Sequence, residues 1–288
     1  MKNLYRILIL FLLITISLSA QDELKEIKKD TVLSFDDEPI VYQENGTGKT
    51  TLVFVHCWSC DKSYWANQIS YFGKKYKVIA IDLAGHGESG IGRVDYTIEN
   101  YAKDVKAVID KEKLDNVILI GHSMGGPLVL AAVELLGNKV KALITIDTFQ
   151  NIEQKFTQEQ LDGFYKSFEK DFVAATKEFV EGLFPENADS NLVNMIAEDM
   201  ASAPPNIALA SFRSLFKFDE AANFDQINIP VRFINSAKFQ TNVEAAKRHI
   251  KNFELKIIAG VGHFPMLEKP DEFNRVLNDS INEIVTND

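Results

Sequence analysis

Ser123 is the side chain whose surroundings most clearly predict chemistry. It is the centre of Gly121-His122-Ser123-Met124-Gly125, which follows an apolar run of strand character and precedes a long apolar segment of helical character. On such a tight strand-to-helix turn the serine hydroxyl is lifted above the sheet, and Gly121 and Gly125 must be small because a side chain there would collide with the turn. The turn also places Ser123 at a helix N-terminus, where backbone N–H groups can meet a developing oxyanion. The pattern therefore predicts that Ser123 is a nucleophile.

The elements that must position Ser123 alternate between strand and helix along most of the chain. Short apolar runs predict strands, and segments with helical spacing separate them. This alternation implies right-handed βαβ units and a mostly parallel sheet. The predicted elements are a hairpin of strands at 31–35 and 40–43, strands at 51–56, 78–81, 117–120, 140–146, 231–234 and 254–258, and helices at 98–111, 125–136, 243–250 and 270–285.

Residues 148–223 break this alternation. Several short helices rich in phenylalanine are predicted there, interrupted by Pro185 and by Pro204-Pro205. We therefore predict a helical cap at 148–223, inserted into a core formed by residues 21–147 and 224–288. Most of the cap phenylalanines are expected to pack in the core of the cap, while a few line an apolar pocket over the site.

The first twenty residues have the composition of a secretory signal peptide. Lys2 and Arg6 precede an apolar run at 7–18, and the small residues Ser19 and Ala20 stand before a charged stretch. The apolar run is too short to span a bilayer comfortably, which favours cleavage after residue 20 over an uncleaved N-terminal anchor, the alternative. We expect a periplasmic or secreted protein with no membrane anchor in its mature form.

The charge balance excludes some classes of partner. The chain of 288 residues has 41 acidic and 31 basic side chains, a formal net charge of −10, and loss of the signal peptide makes it more acidic. Such a surface does not suit nucleic acid or an anionic membrane. The histidines and carboxylates show no metal-ligand spacing, so no metal is predicted. The oligomeric state stays open.

Four motifs together make the chain resemble the α/β-hydrolase family over roughly residues 31–285. They are His56-Cys57-Trp58, Asp82-x-x-Gly85-x-Gly87-x-Ser89, Gly121-x-Ser123-x-Gly125-Gly126 and Gly260-Val261-Gly262-His263-Phe264-Pro265. The resemblance implies an α/β-hydrolase fold, in which helices flank a mostly parallel eight-stranded sheet and a helical cap follows strand six. It also implies that His263 is the general base, and this histidine follows a strand and a glycine-rich turn, as a base that must reach over Ser123 should.

The resemblance further implies an oxyanion hole made of two backbone N–H groups. One belongs to Met124, directly after the nucleophile, and the other to Trp58, in the loop after the third strand. The family usually has glycine after the histidine of that loop, whereas this chain has Cys57, whose Cβ could narrow the loop. Cys57 and Cys60 form a Cys-x-x-Cys pair, for which a disulfide, two free thiols and redox catalysis are the alternatives.

The acid that would orient His263 is absent from the place where most members of the family carry it. That stretch, just after the seventh strand, spans 235–242 and holds no carboxylate, and Phe239 stands about where the aspartate would be. The nearest acid, Glu244, is predicted to lie in the following helix and to face solvent.

A second place for the acid exists in the family, at the end of the sixth strand, as in haloalkane dehalogenases. Asp147 stands there in this sequence, and the order Ser123, Asp147, His263 is the order of the family. We therefore predict that Asp147 completes the triad. The alternatives are that Asp147 only caps the turn after its strand and that Asn235 orients His263 weakly.

Other polar residues of the motifs are expected to have structural roles. Asp82 is predicted to hold the turn below the site. His86, His122 and His249 are predicted to be polar loop or surface residues.

The resemblance implies a serine hydrolase that cleaves a carboxylic ester, thioester or lactone through an acyl-enzyme, with no cofactor. Serine at position 123 argues against dehalogenase and epoxide hydrolase activity, because those members use aspartate there. The phenylalanine-rich cap suggests a small-molecule, apolar, ester-like substrate. The alternatives are carbon–carbon bond hydrolysis, amide hydrolysis or perhydrolysis on the same triad, and a ligand-binding protein that keeps the fold without catalysis.

Overall fold

The computed structural model describes residues 27–286, and the predicted signal peptide lies outside the described residues. The strands are β1 (Lys28–Leu33), β2 (Pro39–Asn45), β3 (Thr51–Val55), β4 (Lys77–Ile81), β5 (Val117–His122), β6 (Val140–Ile146), β7 (Val231–Ser236) and β8 (Phe253–Ile258). The described helices are α1 (Ala66–Phe72), α2 (Ile98–Lys111), α3 (Gly125–Leu136), α4 (Gln158–Lys170), α5 (Phe172–Gly182), α6 (Ser190–Ala201), α7 (Pro205–Leu215), α8 (Glu220–Phe224), α9 (Val243–His249), α10 (Pro265–Glu268) and α11 (Pro270–Val285).

All eight described strands belong to one sheet, in the order β1-β2-β4-β3-β5-β6-β7-β8. Strands β3 to β8 pair in parallel, and the hairpin of β1 and β2 joins them antiparallel to β4. The central strands β3 and β5 are buried along their whole length, as strands covered by helices on both faces must be, and this is why they read as continuous apolar runs. The mostly parallel eight-stranded sheet predicted from the sequence is confirmed.

Helix α2 shows how the flanking helices are specified. Thr97 begins it, because its hydroxyl accepts a hydrogen bond from the backbone N–H of Asn100 at 3.2 Å. The apolar face predicted from helical spacing is fully buried against the sheet; it consists of Tyr101, Val105, Val108 and Ile109. The predicted bounds of this helix, 98–111, agree with the structure.

Helix α1 and the 3₁₀ turn before it, Lys62–Trp65, were not predicted from the sequence. Parallel strands β3 and β4 require a crossover between them, and this helical segment supplies it. Its first turn is capped by Asp61, whose carboxylate accepts from the backbone N–H of Ser63 at 2.6 Å. Helix α1 has seven residues, too few for a periodic pattern to stand out.

Five helices, α4 to α8, lie between β6 and β7, in and just after the segment assigned to the cap from the sequence. They are tied to the loop after β3 through Trp58. The indole of Trp58 stacks on Phe212 with ring centroids 3.9 Å apart, and its N–H donates to the backbone carbonyl of Ala208 at 2.8 Å. Further rings surround it, namely Phe168, Phe172 and Phe179. These phenylalanines therefore pack together inside the cap, as expected for most of the cap phenylalanines. Trp58 joins their cluster from the loop after β3.

No helix in the part of the chain that the structure describes is long and apolar enough to cross a bilayer.

Candidate active site

The turn that holds Ser123 has a strained backbone. Ser123 has φ of 52°, a left-handed conformation that is uncommon for residues other than glycine and often marks a functional site. A Cβ on Gly121 would lie 2.3 Å from the carbonyl oxygen of Gly125, and a Cβ on Gly125 would lie 2.7 Å from that of Val55. The prediction that both positions must be small is therefore confirmed. The turn is fixed to the next strand because the N–H of Ser123 donates to the carbonyl of Ile146 at 3.0 Å.

Asp147 and His263 lie in direct contact at the carboxyl end of the sheet. Asp147 follows β6, is buried and has a φ of 42°. Its Oδ2 accepts a hydrogen bond from Nδ1 of His263 at 2.6 Å. Its other oxygen, Oδ1, accepts from the backbone N–H of Ser236, at the end of β7, at 2.7 Å. Both carboxylate oxygens are therefore satisfied, and Nε2 of His263 is left available to act as a base.

The surroundings of Asp147 keep its carboxylate ionised. Burial alone would raise the pKa of Asp147, but the hydrogen bond and the charge of His263, with the N–H of Ser236, outweigh burial and hold this pKa below its ordinary value. A carboxylate that stays charged can fix the tautomer of the imidazole and stabilise imidazolium.

His263 is held by its backbone as well as by its ring. Its N–H donates to the carbonyl of Leu183, at the end of α5, at 3.1 Å. Its own carbonyl accepts a hydrogen bond from Nε2 of His122 at 2.7 Å. Because His122 directly precedes Ser123, this contact places the His263 loop beside the nucleophile turn.

Ser123 and His263 do not form a hydrogen bond with each other in the structure, although both are described. The rings of His122 and His263 lie 4.7 Å apart, so the two loops are neighbours. Hydrogen bonds between nucleophile and base are often long in a site without substrate and shorten when substrate binds.

His122 corrects an expectation from the sequence. It was predicted to be a polar loop or surface residue, but it is the last residue of β5 and fully buried. Burial, followed by the proximity of His263, holds the pKa of His122 well below its ordinary value. It therefore stays neutral and supports the His263 loop. His86 lies in a loop, as predicted, and is buried there.

Asn235 and Glu244, the residues considered in place of Asp147, form no hydrogen bond with His263. The side-chain amide of Asn235 accepts from the N–H of Thr148 at 3.3 Å and donates to the carbonyl of Thr148 and to Oγ1 of Thr241 at 3.1 and 2.9 Å. The Glu244 side chain is 79% exposed, as predicted.

The two predicted oxyanion donors have no backbone acceptor. Among the backbone hydrogen bonds of residues 27–286, none has the N–H of Trp58 or Met124 as its donor. The loop that carries Trp58 is fixed by His56, whose Nδ1 donates to the carbonyl of Cys57 at 2.8 Å and whose Nε2 accepts from the N–H of Leu83 at 3.1 Å. Burial lowers the pKa of His56 to about 4, so its neutral form keeps this donor and acceptor pattern.

Cys57 and Cys60 are both buried, free thiols in the structure. Their sulfur atoms lie 2.7 Å apart, in the loop that carries Trp58. Burial, followed by the proximity of Cys57, raises the pKa of the Cys60 thiol well above its ordinary value. Because a reactive cysteine requires an accessible thiolate, this environment does not favour redox catalysis by Cys60.

Asp82 holds the turn after β4, as expected of it. Its carboxylate accepts from the backbone N–H groups of Lys62 and Glu88 at 2.7 and 2.9 Å and pairs with Nζ of Lys62 at 2.6 Å. A Cβ on Gly87 would lie 2.4 Å from this carboxylate, which explains the glycine in the motif.

A cavity of about 490 Å³ reaches Ser123 from beneath the cap. Ser123 and Met124 line it, whereas Trp58, Asp147 and His263 do not. One part of its wall is apolar: Phe149, Phe156, Leu215, Phe216 and Phe218. Another part is polar: Thr148, Gln150, Asn151, Gln154 and Glu220. The expected phenylalanines line the pocket, but the polar part was not predicted.

In residues 27–286, no three histidine, cysteine, aspartate or glutamate side chains lie close enough to hold a metal ion.

Comparison with known proteins defines the family. The chain matches the family model described as alpha/beta hydrolase fold over residues 50–270, and it therefore belongs to this family.

Two relatives and one solved structure show how far the likeness extends. Karrikin insensitive 2 receptor IA of Petunia hybrida is 26% identical over 84% of this chain and 93% of its own length. The 3-oxoadipate enol-lactonase 2 of Acinetobacter baylyi is 25% identical over 86% of this chain and 95% of its own length. A thermophilic esterase from Thermogutta terrifontis superposes with a TM-score of 0.78 at 20% identity and covers 89% of this chain and 99% of its own, which shows the fold alone.

Two groups at the site escaped the sequence analysis. The backbone N–H of Ser236 holds Asp147, and backbone donors leave no signal in a sequence. Glu220 lines the cavity, but it is one of thirteen acidic residues in the segment 148–223, so the sequence holds no signal that distinguishes it.

Proposed function

We propose that this protein is a serine hydrolase that cleaves a carboxylic ester, thioester or lactone through an acyl-enzyme intermediate. The observation that carries the proposal is the contact of 2.6 Å between Nδ1 of His263 and Oδ2 of Asp147, beside a serine held at φ of 52°. A nucleophile, an acid and a base, which follow in this order along the chain, are the parts that acyl transfer needs.

In the first half of the reaction, Ser123 Oγ attacks the carbonyl carbon while Nε2 of His263 takes the hydroxyl proton. The negative charge on the carbonyl oxygen is stabilised by the N–H groups of Met124 and Trp58. Asp147 accepts the hydrogen bond from Nδ1–H of His263 throughout, without taking the proton, and stabilises the imidazolium. Collapse of the tetrahedral intermediate expels the alcohol or thiol, which takes the proton from His263.

In the second half, water attacks the acyl carbon of the ester on Ser123. His263 takes the proton of this water and returns it to Ser123 Oγ when the acid leaves. The same N–H groups stabilise the second oxyanion, so one set of residues serves both halves.

The comparisons support this proposal at the level of the reaction class. The Acinetobacter relative is named a lactonase and the Thermogutta structure an esterase, and both names describe hydrolysis at an acyl carbon.

Labelling with a fluorophosphonate probe, followed by intact mass, tests the proposal. We expect rapid addition of one probe to the wild-type protein and none to Ser123→Ala. Ser167→Ala is the matched control, because Ser167 is exposed on α4 and its hydroxyl donates only to the carbonyl of Phe164; it should label like the wild type. A folded wild-type protein that takes no probe would contradict the proposal.

A ligand-binding role is the second candidate, and the Petunia relative, named a receptor, favours it. Ser123 and His263 lack a mutual hydrogen bond, which a receptor would tolerate. Ester turnover that is abolished in Ser123→Ala would support the hydrolase, whereas saturable ligand binding without turnover would support the receptor.

We also propose that the protein is exported and loses residues 1–20. Lys2 and Arg6 before an apolar run support this. Intact mass of the protein purified from its native host tests it, because a mature chain that still begins at Met1 would contradict cleavage.

A further inference from the structure

Glu220 is the only ionisable side chain among the twelve residues that line the cavity of Ser123. It is half-buried at the start of α8. Its carboxylate forms no hydrogen bond or ion pair with any residue between 27 and 286. Its neighbour Asp219, in contrast, is fully engaged: it pairs with Lys155 at 3.0 Å and accepts from the N–H of Ala222 at 3.2 Å. The cavity thus contains one carboxylate without a protein partner.

An unpaired carboxylate in such a place is unfavourable in the free protein. Burial raises the pKa of Glu220 to about 7, and the pairing of Lys155 with Asp219 leaves little positive charge to oppose this. Burying a charge is favourable only when a partner of opposite charge comes with it. The side chain is therefore available to a ligand that brings such a partner into the cavity.

The remainder of the wall suits an organic cation. No lysine or arginine lines the cavity, so nothing there competes for Glu220 or attracts an anion. The aromatic rings of Phe156, Phe216 and Phe218 line the same space, and faces of aromatic rings attract ammonium groups.

We propose that Glu220 is a specificity residue that binds an ammonium group on the substrate, at the end away from the scissile bond. This inference rests on the proposed hydrolase function and adds a substrate class to it: esters or lactones with an amine. Substrates with a carboxylate at that end are expected to be disfavoured.

Four 4-nitrophenyl esters test this preference; their acyl chains have nearly the same length when all non-hydrogen atoms along the chain are counted. They are the 6-aminohexanoate, the heptanoate, the 6-hydroxyhexanoate and the monoester of heptanedioic acid, which end in ammonium, methyl, hydroxyl and carboxylate. The readout is the ratio of kcat/KM for each ester to that for the heptanoate, because a ratio cancels any general loss of activity. We expect Glu220→Gln to lower the ammonium ratio by at least about tenfold and to raise the carboxylate ratio. The lower ammonium ratio should come from a higher KM for the ammonium ester, since Glu220 contacts the ammonium group equally in the ground state and in the transition state.

Glu178→Gln is the matched control. Glu178 is an exposed acid on α5 of the cap, outside the cavity, so its loss should leave every ratio unchanged. Because the ammonium group could belong to either side of the ester, the pair 6-aminohexyl butyrate and heptyl butyrate is measured as well. The proposal would be overturned if Glu220→Gln left the ammonium ratio unchanged both for the 4-nitrophenyl esters and for the butyrate pair.

The pH dependence of the ammonium ratio gives a second readout. A carboxyl with a raised pKa is neutral below that pKa and attracts a cation above it, so the wild-type ratio should rise between about pH 6 and about pH 8, with a midpoint near 7. The charged groups that act on Glu220 are Lys155 and Asp219. His249 on α9 acts on Asp219 and pairs with Asp225 and Glu153 at 2.9 and 3.1 Å. All of them remain in Glu220→Gln, which should show a flat ratio.

Binding without turnover separates this inference from the proposed function. The Ser123→Ala variant is titrated with 6-aminohexanamide and with heptanamide by calorimetry. Tighter binding of the aminoamide that disappears in Ser123→Ala/Glu220→Gln would support the cation site even if no ester were hydrolysed. Ester hydrolysis with equal binding of the two amides would retain the hydrolase and refute the role of Glu220.

Discussion

The ends of β6 and β7 lie side by side in the sheet, and one carries a carboxylate while the other supplies a hydrogen-bond donor to it. β6 is followed directly by Asp147, a buried carboxylate paired with His263 at 2.6 Å. β7 ends in Asn235 and Ser236, which are equally buried but neutral. Their polar groups bind the backbone and the carboxylate of the neighbouring strand end, through the N–H of Ser236 to Asp147 and the amide of Asn235 to Thr148.

The backbones of the two strand ends differ in the same way. Asp147 and Phe149 both have positive φ, 42° and 59°, whereas no residue from 231 to 242 does. Strained backbone of this kind persists where the surrounding structure holds it, and here the end of β7 supplies that support. The comparison teaches that the acid at one strand end depends on the backbone donor that the adjacent strand end supplies.

Asp147→Asn should have the largest effect. We expect turnover of 4-nitrophenyl acetate to fall by at least about a hundredfold, since loss of the equivalent carboxylate costs on the order of 10⁴ in serine proteases. The asparagine NH₂ would face Nδ1 of His263 and favour the tautomer with its proton on Nε2, which cannot accept the Ser123 proton. Asparagine tolerates positive φ, and its oxygen can still accept from Ser236, so thermal unfolding should show a folded protein. Unchanged turnover would refute the assignment of the acid.

Asn235→Asp in the Asp147→Asn background tests whether the end of β7 can supply the acid. We expect no recovery of turnover, because the side chain at 235 faces Thr148 and Thr241 rather than His263. Recovery of about tenfold or more in the double variant, measured as kcat/KM beside Asp147→Asn, would show that the two strand ends are interchangeable.

Asn235→Ala should affect stability more than chemistry. The buried Thr148 N–H and carbonyl would lose their partner, which costs about 1–3 kcal/mol in the free energy of unfolding. Turnover should fall by less than about tenfold, because Asp147 and His263 keep their own contact. Urea unfolding and kcat/KM on the same samples check this, and a loss as large as that of Asp147→Asn would assign a direct role to Asn235.

Glu244→Gln should have the smallest effect. Its side chain is 79% exposed and lies 3.9 Å from Lys247, and exposed pairs of this kind contribute little. We expect the free energy of unfolding to change by less than about 0.5 kcal/mol and turnover to remain that of the wild type. A clear loss of turnover would indicate that the acid that orients His263 lies after β7.

Most of the fold could be predicted from the sequence, because its signals are local. The bounds of α2, β6 and α11 agree with the predicted ranges 98–111, 140–146 and 270–285. Other bounds differ by a residue or two, as ends of elements commonly do, and β1 begins three residues earlier than predicted. The exceptions are the helical segment after β3 and α10, which are too short for a clear periodic pattern. The boundaries proposed for the cap remain a prediction.

The site could be predicted only in part. His122 was expected in a loop or at the surface because a histidine in a motif resembles any other polar residue. In the fold its ring lies against Trp65, His263 and Phe264, which come from distant parts of the chain. Ser236 gave no signal because it acts through its backbone. The polar wall of the cavity was missed because the sequence does not distinguish polar side chains that face a cavity from those that face solvent.

The sequence by itself determined the turn that holds Ser123, the loop that holds His263 and the alternation of strands and helices. Glycine spacing and apolar runs act over a few residues, so they can be read without the fold. Only the tertiary structure decided which acid faces His263 and what surrounds it. Asp147 lies 116 residues from His263 and 89 from Ser236 in the chain. Parallel pairing of β6, β7 and β8 brings these groups together at the carboxyl end of the sheet. In the same way, the return of the chain through the cap places Glu220 in the cavity of Ser123, because side chains so far apart in sequence become neighbours only when the layers pack.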